Sequence, residues 1–298
     1  MTTAIDVRGL RVSYGTHTVL DGLDLEVAPG EVFALLGPNG AGKTTAISVL
    51  TTLLAATAGT VRVAGHDVAT AAVEVRRRIA LTGQSAAVDD MLSAQENLVM
   101  LGRLSGLSPR SARIRADELL ARFTLTDAAS KRVKTFSGGM RRRLDLALSF
   151  VVVPDVLFLD EPTTGVDPRS RLDLWDVIRT LADAGTTVFL TTQYLEEADL
   201  LADRIAILDG GRIIETGTPA QLKALVGTDT VVVHDRDGAQ LGELPTDGSI
   251  DGLRRVLDQI DDSGAAASVT LRRPTLDDVF LSLTGAPRDD ARIAQEIA

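Results

Sequence analysis

The sequence predicts an α/β protein with parallel strands. Of its 298 residues, 45% are hydrophobic and only 3% are aromatic, so the core must consist mainly of Leu, Val, Ile and Ala. Short apolar runs alternate with helical patterns, which is typical of parallel strands packed against helices. The length admits one large domain or, in better agreement with the pattern, a large domain with a small appendage.

The composition argues against several classes of function. A formal net charge of −10 disfavours a protein that coats nucleic acid, because phosphate backbones attract clustered Lys and Arg. We therefore expect no nucleic-acid partner. The chain has no cysteine, which removes disulfides and thiolate metal sites. No signal-peptide pattern and no membrane-spanning stretch are found, so another chain would have to supply any membrane part.

Short β-like runs separated by turns open the chain. They cover residues 5–10, 12–14 and 23–27, and the mainly apolar run at 31–36 predicts a buried strand. Tyr14 stands at the end of the second run. Its ring could stack on an adenine or pack on neighbouring strands, and the residue taken alone favours packing.

A glycine-rich segment lies between the buried strand and a helical pattern over residues 44–54. This context predicts a phosphate-binding loop, because glycines let successive N–H groups turn toward phosphates at the positive end of a helix. Lys43 would reach the β- and γ-phosphates, and Thr44 would offer its hydroxyl to magnesium. The predicted nucleotide-binding residues of this loop are Gly37, Pro38, Asn39, Gly40, Ala41, Gly42, Lys43, Thr44 and Thr45.

Two further strands are predicted before the pattern becomes helical. They cover residues 60–64 and 79–82, and Gln84 follows the second strand. The amide oxygen of Gln84 could complete a magnesium shell or hold the attacking water. A capping box at Ser93 then starts the first helix of an insertion over residues 86 to about 150.

The end of this insertion carries a second candidate anion site. Ser137, Gly138 and Gly139 stand where a helix begins, which indicates either an anion site or an ordinary N-cap followed by glycines. We expect the arginine triplet at 141–143 to form a solvated helix face.

Acidic residues end the next apolar run. Asp160 and Glu161 follow residues 156–159. Beside a triphosphate, Asp160 would hold magnesium, while Glu161 would orient and deprotonate a water that attacks the γ-phosphate. Asp167 precedes Pro168 and is expected to cap a helix, which would explain Asp167 by itself. A strand at 187–192 ends at Gln193, and the carboxyl ends of such strands meet where ligands of open α/β sheets bind.

Residues 227–285 predict a separate small α/β pattern. It contains strands at 230–233 and 268–272, a helix at about 250–260, and a last helix between Thr275 and Gly285. We expect residues 286–298 to form a flexible tail.

In their order and spacing, these motifs resemble those of the ATPase subunit of an ABC transporter. The resemblance covers residues 1 to about 226. It implies a P-loop NTPase core of the ABC ATPase type, with an antiparallel β subdomain and the helical insertion, followed by a small C-terminal α/β accessory domain. The motifs that carry it are Gly37 to Thr45, Gln84, Ser137 to Gly139, Asp160, Glu161, Asp167 and Gln193.

The resemblance also implies ATP and Mg²⁺ as cofactors and a role for each motif. Tyr14 would stack on the adenine, Glu161 would be the catalytic base, and Gln193 would be the switch residue beside the γ-phosphate. Ser137 and Gly139 would contact a nucleotide held by a second copy, so two copies would sandwich two ATP molecules. The implied catalytic residues are Lys43, Gln84, Glu161 and Gln193; Gly138 and Asp167 join the nucleotide contacts, and the magnesium ligands are Thr44, Gln84 and Asp160.

Two departures from the usual motifs of the family narrow the resemblance to one type of ABC ATPase. Phe136 and Met140 flank the signature where Leu and Gln are usual, and Gln193 stands where His is usual. Together with the ending at residues 274–281, they resemble the daunorubicin-resistance type. That type pairs with a separate membrane-spanning permease and exports hydrophobic drugs or lipids, which implies a peripheral position on the cytoplasmic face of the cell membrane.

Two other functions share some of these motifs. Soluble ABC ATPases that act on ribosomes or DNA typically carry two cassettes or a long coiled-coil insertion, and this chain has neither. A regulatory nucleotide switch with little turnover is disfavoured by Glu161, although Gln193 leaves it open, because an amide cannot carry a proton as His can.

Overall fold

The chain folds into two units, residues 1–216 and 217–298. A computed structural model describes residues 3–82, 88–260 and 268–285. Within these residues, no helix is long and apolar enough to cross a membrane. The domain limit near residue 226 remains a prediction, while the contacts divide the chain after Thr216.

Ten strands form the two sheets described in the first unit. They are β1 (Ile5–Tyr14), β2 (His17–Val27), β3 (Val32–Leu36), β4 (Ala58–Val63), β5 (His66–Asp67), β6 (Ile79–Thr82), β7 (Val156–Asp160), β8 (Thr187–Thr192), β9 (Arg204–Asp209) and β10 (Arg212–Gly217).

The larger sheet sets the position of the functional residues. Its strand order is β10-β9-β3-β8-β7-β6, and the pairs from β9 to β6 are parallel. Every residue of β3, β7 and β8 is buried, as expected for strands covered on both faces. Leu36 pairs with Thr192, and Asp160 pairs with Thr191. The segments that follow these strands therefore leave the sheet at one edge.

The smaller sheet is antiparallel, with the order β2-β1-β4-β5, in agreement with the implied antiparallel β subdomain. The prediction of two separate strands at residues 5–10 and 12–14 is wrong, because β1 is continuous. Its pairing with β2 shifts register between Val7 and Leu10. Gly9 has a φ of +59° there, and such a bulge interrupts the alternation that the sequence pattern follows.

Seven α-helices are described in the first unit. They are α1 (Lys43–Leu50), α2 (Ala72–Arg78), α3 (Ala94–Leu104), α4 (Pro109–Arg122), α5 (Gly138–Ser149), α6 (Pro168–Asp183) and α7 (Leu195–Leu201). Helix α1 ends four residues before the predicted Leu54, and Thr52 follows with a φ of +65°. The capping box at Ser93 is confirmed, since its side chain accepts from the Glu96 N–H and the Glu96 carboxylate accepts from the Ser93 N–H.

The second unit is a three-stranded antiparallel sheet with three helices among its described residues. Its elements are α8 (Pro219–Ala224), β11 (Thr230–His234), β12 (Gln240–Pro245), α9 (Ile250–Leu257), β13 (Ser268–Arg272) and α10 (Leu276–Thr284). The strand order is β12-β11-β13, with Val231, Val232 and Val233 buried in the centre. Strand β12 has no buried residue, and its sequence has no regular alternation of apolar and polar residues.

Candidate functional site

The glycine-rich loop lies between β3 and α1 and has no room for side chains at two positions. A Cβ atom on Gly37 would lie 2.4 Å from the Leu208 carbonyl oxygen. At Gly42 the φ is +108°, and a Cβ would lie 2.6 Å from Leu20 Cδ2. Gly42 also has no side chain that could cap α1, so the first N–H groups of the helix face the loop. This backbone cradle fits a chain of phosphates.

Lys43 reaches back over this loop. Its Nζ donates to the carbonyl oxygens of Gly37, at 2.8 Å, and Pro38, at 3.1 Å. The same nitrogen lies 3.3 Å from Glu161 Oε1, and the Lys43 side chain is only 5% exposed. A buried ammonium group held by carbonyls and one carboxylate can shift to phosphate oxygens at little cost in hydration.

Thr44 and Asp160 form the candidate magnesium site. Thr44 Oγ1 donates to Asp160 Oδ2 at 3.1 Å, and Thr191 Oγ1 donates to Asp160 Oδ1 at 2.6 Å. Asp160, at the end of β7, is 6% exposed. Magnesium is usually bound by one or two protein oxygens together with phosphates and waters, so this pair fits the ion. Gln84, the third predicted ligand, lies outside the described residues.

Glu161 follows Asp160 directly in the chain, and its backbone is strained. Its φ is +47°, a left-handed conformation that is costly for a residue other than glycine. Its N–H donates to the Thr191 carbonyl oxygen at 3.1 Å. Its carboxylate accepts from Thr164 Oγ1 at 3.2 Å and faces Lys43 on the other side. Glu161, the predicted base, therefore lies beside Lys43, the lysine predicted to bind phosphate.

The signature residues form the start of α5. Ser137 Oγ accepts from the Met140 N–H at 3.2 Å, which confirms the N-cap. Gly138 lines a cavity of about 410 Å³ together with Glu161. A Cβ on Gly139 would lie 2.3 Å from Ser170 Oγ, so packing requires glycine there. Within the described part of the chain, no hydrogen bond or ion pair joins these three residues to the phosphate loop.

The remaining predicted residues lie around this edge. Tyr14 ends β1 and is 55% exposed, in a hairpin whose second strand approaches the loop through Leu20. Asp167 caps α6 by accepting from the Ser170 N–H at 3.0 Å. This hydrogen bond lowers the pKa of Asp167. Gln193 directly follows β8 and is half-buried. Capping therefore explains Asp167, whereas an exposed Tyr14 is poorly explained by packing.

Two residues near the site were missed by sequence reasoning. The expectation of a solvated arginine face is wrong for Arg142, whose side chain is mostly buried and donates from Nε to the Pro162 carbonyl at 2.9 Å. Asp145, three residues later on the same helix face, is the available signal for this burial. Glu197 in α7 is fully buried and accepts from Trp175 Nε1 at 3.1 Å. No sequence signal marks it, because acidic residues in a first helical turn are usually exposed.

Comparison with known proteins agrees with this geometry. Residues 20–164 match the family model described as ABC transporter. The daunorubicin resistance ATP-binding protein DrrA3 of Streptomyces coeruleorubidus is 52% identical, and the alignment covers 98% of each chain. The Nod factor export ATP-binding protein I of Paraburkholderia xenovorans is 39% identical over 96% of this chain and 99% of its own.

A solved structure shares the fold over most of the length. It is described as the ATP binding subunit of an ABC transporter, and it superposes with a TM-score of 0.68 at 25% identity, covering 95% of this chain and 100% of its own. The chain therefore belongs to the ABC transporter family, as an ATP-binding subunit of the daunorubicin-resistance type that hydrolyses ATP with Mg²⁺ to drive transport and works with a membrane partner.

Proposed function

We propose that this chain powers the export of a hydrophobic drug or lipid through a separate membrane-spanning permease, at the cytoplasmic face of the cell membrane. The observation that carries the ATPase part is the convergence of Lys43, Thr44, Asp160 and Glu161 at one edge of the parallel sheet. The substrate class rests on relatives named for daunorubicin resistance and Nod factor export. Residues 1–226 would form the ATPase domain, and residues 227–285 the accessory domain.

Each residue at the edge has a separate task in this proposal. The loop N–H groups and Lys43 hold the phosphates, together with Thr45 at the start of α1. Thr44 and Asp160 hold Mg²⁺, which neutralises charge on the phosphate oxygens when it is bound. Glu161 accepts the proton of the attacking water. Its carboxylate already lies beside Lys43, so it stands next to the position that the phosphates would take.

The second half of the site would come from a second copy of the chain. Ser137 and Gly138 are exposed at the start of α5, where N–H groups can meet an anion. Because no hydrogen bond or ion pair joins these residues to their own phosphate loop in the described structure, we expect them to bind the nucleotide of another copy. Asp167 and Gln193 would complete the contacts at the dimer interface, and Tyr14 would stack on the adenine.

The test is the turnover of Glu161→Gln. Loss of the general base should lower the rate of ATP hydrolysis by about 10²–10⁴-fold, while binding of Mg²⁺ and ATP, measured by equilibrium dialysis, is retained. Glu196→Gln, the same change at an exposed site in α7, is the matched control and should leave the rate unchanged. Near-normal turnover of Glu161→Gln would refute the assignment of the base.

The switch position is tested in the same assay. If Glu161 does the base work alone, Gln193→Ala should reduce turnover only modestly, because it removes one hydrogen bond and no proton acceptor. Loss of activity as large as that of Glu161→Gln would show that the amide is essential.

The proposal of drug export must be tested together with the permease. Cells that express the chain with its membrane partner should accumulate less daunorubicin than cells in which the chain carries Glu161→Gln. Equal accumulation, with normal ATP hydrolysis in the purified complex, would exclude this drug and direct the search to lipids.

A further inference from the structure

Arg142 connects its own helix, α5, with Pro162, the residue that follows Glu161. Its Nε donates to the Pro162 carbonyl oxygen at 2.9 Å, and its Nη1 lies 3.3 Å from Asp145 Oδ2. Only 11% of the Arg142 side chain is exposed. Because the guanidinium is planar and rigid, the contact with Asp145 sets the direction in which the Nε–H points.

The charge of Arg142 is compensated from several elements. Burial lowers the pKa of Arg142, and the opposing charges are those of Asp145, Glu197 and Asp160. These carboxylates belong to α5, α7 and β7 respectively. A cation that is held among three elements of the site differs from the solvated arginine that the triplet predicted. Its loss would remove the guanidinium that lies 3.3 Å from the buried Asp145 carboxylate, which is costly for a buried charge.

The hydrogen bond from Arg142 to the Pro162 carbonyl lies next to Glu161 in the chain and can influence its backbone conformation. A left-handed backbone at a non-glycine residue persists only where its surroundings hold it. The Glu161 N–H is held by the Thr191 carbonyl of β8, and the Glu161 carbonyl accepts from the Thr164 N–H at 3.2 Å. The carbonyl of the following residue, Pro162, is held by Arg142. The strained residue and its neighbour are therefore held by the sheet, by the turn to Thr164 and by α5.

We propose that Arg142 is a positioning residue for ATP hydrolysis, which holds the Pro162 carbonyl so that Glu161 faces Lys43 and the attacking water. The inference rests on the proposed function, in which the start of α5 meets the nucleotide of a second copy. When α5 shifts on contact with that nucleotide, Arg142 transmits the shift to Glu161 of its own chain.

The first test compares Arg142→Lys with Arg143→Lys in the full-length chain. Lysine keeps the charge but cannot reach Asp145 and the Pro162 carbonyl together. We expect kcat to fall about tenfold in Arg142→Lys, as for a base displaced by a fraction of an ångström, with KM for ATP unchanged within about twofold. Arg143→Lys, the neighbouring arginine of α5, should keep both values. Wild-type kcat in Arg142→Lys would overturn the proposal.

The second test is a double-mutant cycle with Glu161→Gln, measured by single-turnover hydrolysis. If Arg142 acts through Glu161, Arg142→Lys should cause no further loss in the Glu161→Gln background. An equal loss in both backgrounds would overturn the inference. Normal turnover of Glu161→Gln alone would instead refute the assignment of Glu161 as the base in the proposed function, so the two failures are distinguishable.

A second variant keeps the test valid if Arg142→Lys does not fold. Asp145→Asn leaves the arginine in place and removes the charge that orients it. It should lower kcat less than tenfold and leave KM for ATP unchanged, at a melting temperature near that of the wild type. A rise in KM without a fall in kcat would indicate that this contact supports nucleotide binding only, and would contradict the positioning role.

Discussion

The two units of the chain place their charged residues in different surroundings. In the first unit, Lys43, Asp160 and Glu161 lie together almost without exposure at the end of the parallel sheet. In the second unit, Arg272 pairs with Asp278 at 3.1 Å and with Glu243 at 3.7 Å, but the arginine is 56% exposed. Water screens these surface pairs, whereas the buried groups depend on one another.

Buried charged clusters and exposed ion pairs therefore differ in what they indicate about function. Burying ionised groups is costly, so a cluster of them persists where it serves binding or chemistry. Surface ion pairs need no such explanation. The comparison predicts large effects on activity in the first unit and small effects on stability in the second, and the following variants test it in order of expected size.

Lys43→Ala should have the largest effect. It removes the ammonium that the loop carbonyls hold and leaves Glu161 without its nearest cation. We expect ATP turnover to fall at least about a hundredfold, as for loss of a preorganised charge donor. The measurement is phosphate release at saturating Mg²⁺ and ATP. Unimpaired nucleotide binding and turnover would remove the basis for treating this edge as a phosphate site.

Gly139→Ala should have the next largest effect and sharpens the comparison between packing and chemistry. Its new methyl group would clash with Ser170, whose Cβ would lie 2.5 Å away, so the free energy of unfolding should fall by about 1–3 kcal/mol. Ser170→Gly in the same chain should restore stability. Gly138→Ala is the control, because a Cβ there meets no atom within 4 Å.

ATP turnover of the doubly substituted chain separates a packing role of Gly139 from a role in nucleotide contact. If Gly139 is needed only for packing, Gly139→Ala with Ser170→Gly should regain ATP hydrolysis along with its melting temperature. If the stability returns and the activity does not, Gly139 contacts the nucleotide.

Glu197→Gln should have a smaller effect that depends on pH. Burial raises the pKa of Glu197, while the hydrogen bond from Trp175 and the charge of Arg171 act in the opposite direction. The native carboxyl therefore binds its proton more tightly than the unfolded one. Its contribution to stability is fully present below the unfolded pKa, near 4.5, and is lost as pH rises through the raised native pKa.

Glutamine keeps an acceptor for Trp175 and cannot ionise. The melting temperature of Glu197→Gln relative to the wild type should therefore rise by a few degrees between pH 4.5 and neutral pH. A difference that is constant with pH would show that Glu197 does not change its protonation preference on folding. Trp175, the single tryptophan of the chain, provides the fluorescence signal for these melts.

Arg272→Ala should have the smallest effect. It removes both ion pairs of an exposed arginine in the second unit, and we expect a loss of less than about 0.5 kcal/mol in the free energy of unfolding. ATP turnover should be unchanged. A large loss of activity would break the comparison, because it would show that surface charges of the second unit take part in the function of the first.

The sequence predicted most of the elements that carry the site. The buried strands, the capping boxes and the helix caps have local signals, and the structure confirms them at Ser93, Ser137 and Asp167. Strand β12 and the continuity of β1 were missed, because an exposed strand and a bulge leave no regular apolar pattern. Gln84 and the proposed tail at 286–298 lie outside the described residues.

Which residue types stand at strand ends and helix starts can be predicted from the amino-acid sequence alone, since spacing and local propensity belong to short segments. The sequence therefore predicted that Lys43, Asp160 and Glu161 act in one reaction. Tertiary structure alone decided that Lys43 pairs with Glu161, that Gly139 packs on Ser170, and that Arg142 is buried against the Pro162 carbonyl. The physical reason is that these contacts join segments far apart in the chain, and their geometry exists only after the sheet has aligned its strand ends.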